Sequence, residues 1–269
     1  MTRLVRARRL ICLGLLAALL PTAAAQAASR ELRVATLLTA AADNPADSGE
    51  GGAIAELNEA LTRELCRRLM ARCSLHPQPF AEIIPGVEAG RYQLGVGNVI
   101  RSPEREARVL FSRTLWRASS RLVGTPAAIR QHRPAGGEIR VQALHGVRIA
   151  AVRGSQQHQF VARHAATRQL VLTETATLGE ALHALLDGRA DFALMPVRGA
   201  YFLLAQQPPG SVEFTGPPLT EEGLGGTVHL ILPKAEGTLQ REVDRALDAM
   251  RGDGTFQRIV RRYMPFLAD

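Results

Sequence analysis

Lysine is almost missing from this 269-residue sequence: Lys234 stands alone, and the basic character rests on arginine. Aromatics are sparse at 4%, and no basic stripe interleaved with aromatics occurs, so nucleic-acid binding is not expected. The GxxxxGK[ST] phosphate loop, the HExxH zinc pair and the GxSxG nucleophile elbow are all absent. His76, His145, His183 and His229 are scattered along the chain, and neither a metal nor a cofactor is expected. Past the N-terminus no apolar run approaches the ~18 residues that a membrane span needs. What is there is an ordinary globular composition, 46% hydrophobic. At roughly 150 residues per domain, the length suits one large or two modest domains.

Residues 1–28 set the expected compartment. A basic start (MTRLVRARR) runs into the apolar LICLGLLAALL and then the small-residue tract PTAAAQAAS. That order is a secretory signal peptide, with cleavage expected near Ala27 or Ala28. Arg3, Arg6, Arg8 and Arg9 carry four of the eight net positive charges, which leaves a milder excess on the exported chain. Cys12 sits inside the apolar run, away from any small-residue lipid-attachment site. A soluble exported protein is expected.

Export leaves Cys66 and Cys73. An even pair in an oxidising compartment favours a disulfide. Seven residues of continuous helix would separate them by roughly 10 Å of rise, too far for a bridge. A bridge therefore requires the helix to end near residues 70–71. Buried free thiols and a metal site needing further ligands are the alternatives.

Apolar spacing then predicts elements in two runs. The first has a strand over 31–38, a loop over 42–52, a helix over 54–69, an extended piece over 75–80, a helix over 82–90 and a strand over 94–99. An extended segment over 121–124 leads into a polar connection reaching Gly136-Gly137. The second run has strands over 147–152, 170–173, 190–195 and 227–232. Helices are expected over 157–166, 178–186, 196–204, 239–250 and 255–263. Strands alternating with helices in two runs imply an α/β protein with two lobes, each with a mostly parallel sheet flanked by helices. Ligands in such sheets sit at the carboxyl ends of strands, so two facing edges make a cleft.

Residues 97–112 (GNVIRSPEREARVLFS) hold the densest chemistry. Ser102-Pro103-Glu104 reads as a helix start, with a hydroxyl N-cap, proline at the first position and an acid in the first turn. Arg105 in that turn can grip a carboxylate with its planar fork beside free backbone N–H groups. Taken alone, these residues fit a solvated charged turn better than an anion site, and Arg101 and Arg108 read as surface arginines.

The chain resembles the family 3 extracellular solute-binding proteins, periplasmic amino-acid receptors of ABC importers, and most of all their histidine and lysine/arginine/ornithine-binding branch. The residues that carry the resemblance are ELCRRLMARC (64–73), IIPGVEAGR (83–91), SPEREARVLFS (102–112), LHGVRIAAVRGS (144–155), ALLDGRADFAL (184–194) and ALDAMRGDGTFQRIVRRY (246–263). The resemblance implies a two-lobed periplasmic-binding-protein fold of type II. Residues 29–118 plus 223–269 would form one lobe and residues 119–222 the other, with hinges near 118–121 and 218–223. It also implies a Cys66–Cys73 bridge. Arg105 falls on the arginine that clamps the ligand's carboxylate. Ser155 falls where a backbone N–H and a hydroxyl from the second lobe meet the same group, flanked by Gly154 and Gln156. Phe80 falls on an apolar pocket wall.

The departures from the family's pattern lie at the ammonium end. Pro196 stands where an aspartate holds the amino group. Ile100 replaces a pocket serine, and Asn98 another small polar residue. Leu37 and Ala40 replace an aspartate and an aromatic that contact basic ligand side chains, and Asn58 and Ala60 stand where two aspartates are common. An ammonium closed in without a counter-charge costs several kcal/mol. The expected ligand is thus a small organic solute, amino-acid-like or carboxylate-bearing but not a standard basic amino acid. Another organic anion or a polar metabolite lacking a free ammonium are further options. A periplasmic monomer would capture it and dock transiently on an integral-membrane permease. Two other functions fit the same scaffold. One is a secreted dehydratase acting on prephenate-like substrates, with Glu82, Glu104, His158 or Asp191 as acid or base. The other is an orphan sensor or accessory protein.

Overall fold

The computed structural model describes residues 30–38, 52–135 and 137–264. The signal-peptide expectation, the loop over 42–52 apart from Gly52, Ala40 and Gly136 lie outside the described residues.

The first half runs β1 (Arg30–Leu37), α1 (Gly52–Arg68), β2 (Ala71–Gln78), α2 (Phe80–Glu88), β3 (Leu94–Ile100), α3 (Pro103–Arg108), β4 (Val109–Phe111), β5 (Trp116–Ala118), β6 (Ser120–Gly124) and α4 (Pro126–His132). After a 3-10 turn at Val141–Ala143 come β7 (Arg148–Val152), α5 (Gln156–Arg168), β8 (Val171–Thr175), α6 (Leu178–Leu186), β9 (Phe192–Pro196), α7 (Val197–Ala205), β10 (Glu213–Leu219), β11 (Gly226–Pro233), α8 (Gly237–Gly252) and α9 (Thr255–Tyr263). The strands form two sheets. One has the order β2-β1-β3-β11-β4 with β5 on β11; the other is β10-β6-β9-β7-β8.

The two-lobed α/β architecture agrees with expectation, but the sheets are mixed rather than mostly parallel. In the first sheet β1 runs parallel to β2 and β3, while β11 is antiparallel to β3, β4 and β5. In the second, β7 is parallel to β8 and β9, and β6 is antiparallel to β9 and β10. Parallel neighbours need a crossover helix between them. β5–β6 and β10–β11 instead carry the chain from one sheet to the other without a helix, so they enter antiparallel. These two crossings lie side by side, since Ala118 pairs with Gly226 and Ser120 with Leu219.

Each sheet is covered on both faces. Leu57, Leu61 and Leu65 of α1 pack with Leu239, Val243 and Leu247 of α8 over Leu32, Val34 and Leu94. Ile83, Ile84 and Val87 of α2 close the opposite face against Ala35, Val99 and Ile231. In the second sheet Phe160 and Val161 of α5 pack on Ile149 and Phe192, with Leu182 and Leu185 of α6 and Leu203 of α7 on the other side.

α1 stops at Arg68, Met70 takes φ 51° and β2 starts at Ala71. That reversal brings the Cα atoms of Cys66 and Cys73 to 6.2 Å, and the disulfide forms. β2 begins four residues before the expected extended piece. Among elements without a sequence expectation, α4 fills part of the supposed polar connection, with Thr125 accepting from the Ala128 N–H and Pro126 at the first position. β10 contains Pro217 and Pro218 and lies at the sheet edge, where a strand tolerates missing donors.

Candidate functional site

A cavity of about 330 Å³ lies between the two sheets. Its wall is built from strand ends and helix starts, as the α/β rule anticipates. The first sheet contributes Leu37 from the end of β1 and Gly97, Asn98 and Ile100 from β3. The second contributes Val152 from β7 and Leu194 and Pro196 from β9. Helices α2, α5, α6 and α7 turn their first residues to the cavity, with Phe80, Gln156 and Gln157, Leu178 and Gly179, and Val197 to Gly199. The free N–H groups of such first turns give the wall a positive partial charge.

Arg105 is the centre of the wall. Ser102 caps α3 by accepting from the Arg105 backbone N–H at 3.4 Å, and Pro103 opens the helix, as the sequence predicts. The side chain is 3% exposed. Its Nη1 donates to the Ile100 carbonyl at 2.9 Å and its Nη2 to the Gly154 carbonyl at 3.0 Å. Its guanidinium carbon lies 5.6 Å from the centre of the Phe80 ring. No carboxylate pairs with it among the described residues, and burial pushes its pKa down from the usual arginine range to about 10. A guanidinium has five N–H donors, so three remain for a ligand.

The Gly154 contact links α3 to the second sheet. Gly154 has φ +76°, and a Cβ there would lie 3.2 Å from the Cα of Ala81. Only glycine lets the β7–α5 turn approach α2 so closely. Gly154 does not itself line the cavity; its carbonyl holds the arginine. Next to it, Ser155 caps α5, with Oγ accepting from the His158 N–H at 3.1 Å. The Ser155 backbone N–H donates to the Val152 carbonyl at 3.0 Å. The expected pair of Ser155 donors therefore reduces to the hydroxyl proton, and Gln156 and Gln157 stand in the first turn of the helix, where backbone N–H groups lack an intrahelical acceptor.

Arg105, Ser155, Phe80, Asn98, Ile100 and Gln156 are thus brought to one cavity. Asn98 is a non-glycine residue at φ 55°, and its buried Oδ1 has no partner among the described residues. A neutral acceptor of this kind suits a hydrogen-bond donor on a ligand. Leu37 and Pro196 also line the wall, so the two positions from which carboxylates would meet an ammonium present apolar surface. Asn58 is buried at 2% with neither amide atom partnered, and it lies off the cavity.

None of the acid–base candidates reaches the wall. Glu82 faces Arg91 at 4.0 Å, and Asp191 pairs with Arg148 at 2.6 Å. His158 pairs with Glu174 at 2.9 Å. Glu104 is exposed on α3. Arg101 and Arg108 pair outward with Glu106 and Glu88. Among the described residues no cluster of His, Cys, Asp or Glu could hold a metal, and no helix is long and apolar enough to cross a membrane.

Among the wall residues that escaped the sequence reading, three carry aromatic or charged side chains. Trp116 and Arg117 come from β5, too short a strand to show a pattern. Arg198 sits in the first turn of α7, with its guanidinium carbon 5.5 Å from the centre of the Trp116 ring and Nη1 3.3 Å from the Met264 sulfur. Burial lowers its pKa too. The available signal was its place just after Pro196, at the start of a helix following a strand. No aspartate or glutamate lines the cavity among the described residues, so its three ionisable side chains are all arginines.

Residues 45–266 match the family of bacterial extracellular solute-binding proteins, family 3. This chain belongs to that family. Over 247 residues it is 26% identical to the histidine-binding periplasmic protein of Escherichia coli (strain K12), covering 91% of this chain and 92% of the other. With the lysine/arginine/ornithine-binding periplasmic protein of the same organism, identity is 24% over 262 residues, covering 96% and 97%. Among solved structures, an ancestral arginine-binding protein bound to glutamine superposes with a TM-score of 0.72 at 20% identity, covering 87% of this chain and 97% of the other. The GluR0 ligand-binding core of Nostoc punctiforme in complex with L-glutamate gives 0.70 at 20% identity, covering 87% and 99%. At these identities the structures speak for the fold.

Proposed function

We propose that this protein is a periplasmic receptor that captures a carboxylate-bearing organic solute in the cavity and presents it to an ABC-type permease. Arg105 carries the reading: it is a buried cation at the cavity wall that no acid among the described residues neutralises. Leaving a charge in that state is costly, and a ligand carboxylate removes the cost through charge-assisted hydrogen bonds. The Ser155 hydroxyl and the first turn of α5 add donors from the opposite side. Residues 29–118 plus 223–269 form one lobe and 119–222 the other, and the paired crossings at 118–121 and 218–223 act as the hinge. A ligand gripped from both sides binds the closed state better, and closure follows from that difference in affinity.

The relatives' names point to amino acids with basic side chains. The lining argues for a different solute here, because Leu37 and Pro196 leave an ammonium without a counter-charge while three arginines repel it. A dehydratase would need an acid or base beside Arg105, and none of the four candidates lines the cavity, so a non-enzymatic receptor is the reading put forward.

Calorimetry with the organic acid that binds best tests it. Arg105→Ala should weaken that acid by about 10- to 100-fold, the worth of a lost hydrogen bond to a charged group. Unchanged affinity would remove Arg105 from the site.

A further inference from the structure

We infer that Arg198 is a second anion-binding group and that the cavity is built for organic dianions, compounds with an acidic group at each end of an apolar body. This rests on the proposed function and specifies its substrate class. Arg105 comes from α3 beside the first sheet, whereas Arg198 comes from α7 on the second. Both line one cavity, and neither has a carboxylate partner among the described residues. The Arg198 guanidinium carbon lies 5.5 Å from the centre of the Trp116 ring, and the side chain spends one donor on the Met264 sulfur. Its remaining donors are free for a fork-to-fork contact with a carboxylate.

Around them the wall is apolar, with Leu37, Ile100, Val152 and Leu194 among its residues. A ligand with one carboxylate satisfies Arg105 and leaves Arg198 half-buried without a counter-ion. A zwitterion adds a cation to a cavity whose ionisable wall residues, among the described ones, are all arginines. A dianion with an apolar middle answers both arginines and the walls between them. Arg198 also stands two residues after Pro196, the position at which the related receptors are expected to hold the amino group. The polarity of that end of the site is thereby reversed.

The test is calorimetry on the purified protein with matched pairs: glutarate against pentanoate, adipate against hexanoate, phthalate against benzoate. Lysine, histidine and glutamine are run beside them. At least one dicarboxylate should bind tenfold or more tightly than its monocarboxylate partner. Arg198→Gln should erase that advantage while leaving monocarboxylate affinity within twofold, a selectivity that mere propping of the fold would not produce. Arg105→Ala should weaken both members of each pair. If Arg198→Gln does not fold, the wild-type salt dependence still decides, because the dicarboxylate should lose affinity with added NaCl more steeply than the monocarboxylate.

Equal affinities within every pair, an advantage that persists in Arg198→Gln, or no binding by any dicarboxylate overturns the proposal. Tight monocarboxylate binding that needs Arg105 and ignores Arg198 would also overturn it, yet leave the receptor reading standing. Binding of basic amino acids independent of Arg105 would overturn both.

Discussion

Arginines in two regions of this molecule meet opposite surroundings. Around the disulfide, Arg67 and Arg68 both reach Glu64, at 2.8 and 2.6 Å, and Arg68 also reaches Asp253 at 2.7 Å. These contacts raise the pKa values of both arginines, and the hydrogen bond from Arg67, with help from Arg68, outweighs desolvation and holds Glu64 at about 2. In the cavity Arg105 and Arg198 have no acid partner among the described residues, and burial lowers the pKa of both. Arginine that meets its acid within the chain belongs to the scaffold. Arginine buried at a cavity wall without one leaves its charge for something that arrives.

The sharpest way to break that contrast is to supply the missing acid. Pro196→Asp places a carboxylate on the wall near Arg198 and at the expected ammonium position. It should weaken organic-acid binding by 100-fold or more and raise affinity for amino acids, both read by calorimetry. An unchanged ligand preference would mean that wall charge does not set selectivity. Smaller is the effect of cutting the scaffold side. Removing the Cys66–Cys73 bridge with paired serines should cost about 2 kcal/mol of unfolding free energy, the loop-closure value for so short a loop. Ligand affinity should stay within twofold, because neither cysteine lines the cavity. A large loss of affinity would show that the two regions are coupled.

Smallest is the pH response of Glu64. Its folded pKa is depressed from 4.5 to about 2, so its contribution is complete above the unfolded value and is lost as pH falls towards 2. The melting temperature of Glu64→Gln should therefore decline less steeply from pH 5 to pH 2.5 than that of the parent protein. Parallel declines would mean that Glu64 has no special role in acid stability.

Sequence legibility followed length of pattern. The face Leu57, Leu61, Leu65 announces α1, and the capping signal Ser102-Pro103 announces α3 with Arg105 in its first turn. Thr125-Pro126 is the same signal and opens α4, yet no long apolar stripe follows it to draw attention. β10 hid because Gly216, Pro217 and Pro218 are strand-breaking residues that only an edge position tolerates. β5 is three residues long, too brief for alternation, so Trp116 and Arg117 could not be assigned to the wall. Arg105 was legible because a local motif surrounds it. Arg198 was not, since its significance comes from Trp116 and Met264, far away in the chain and close only after the lobes meet.

The central claim is that the cavity takes an organic anion and refuses a basic ammonium. Thermal denaturation of the purified protein with each compound at a matched, saturating concentration tests it most directly. A ligand at about 100 times its Kd adds roughly 2.7 kcal/mol to apparent stability, a shift of several degrees for a chain of this length. The account predicts such a shift with at least one organic acid lacking an amino group, and none with lysine, arginine or histidine. A larger shift with a basic amino acid than with any organic acid would contradict it.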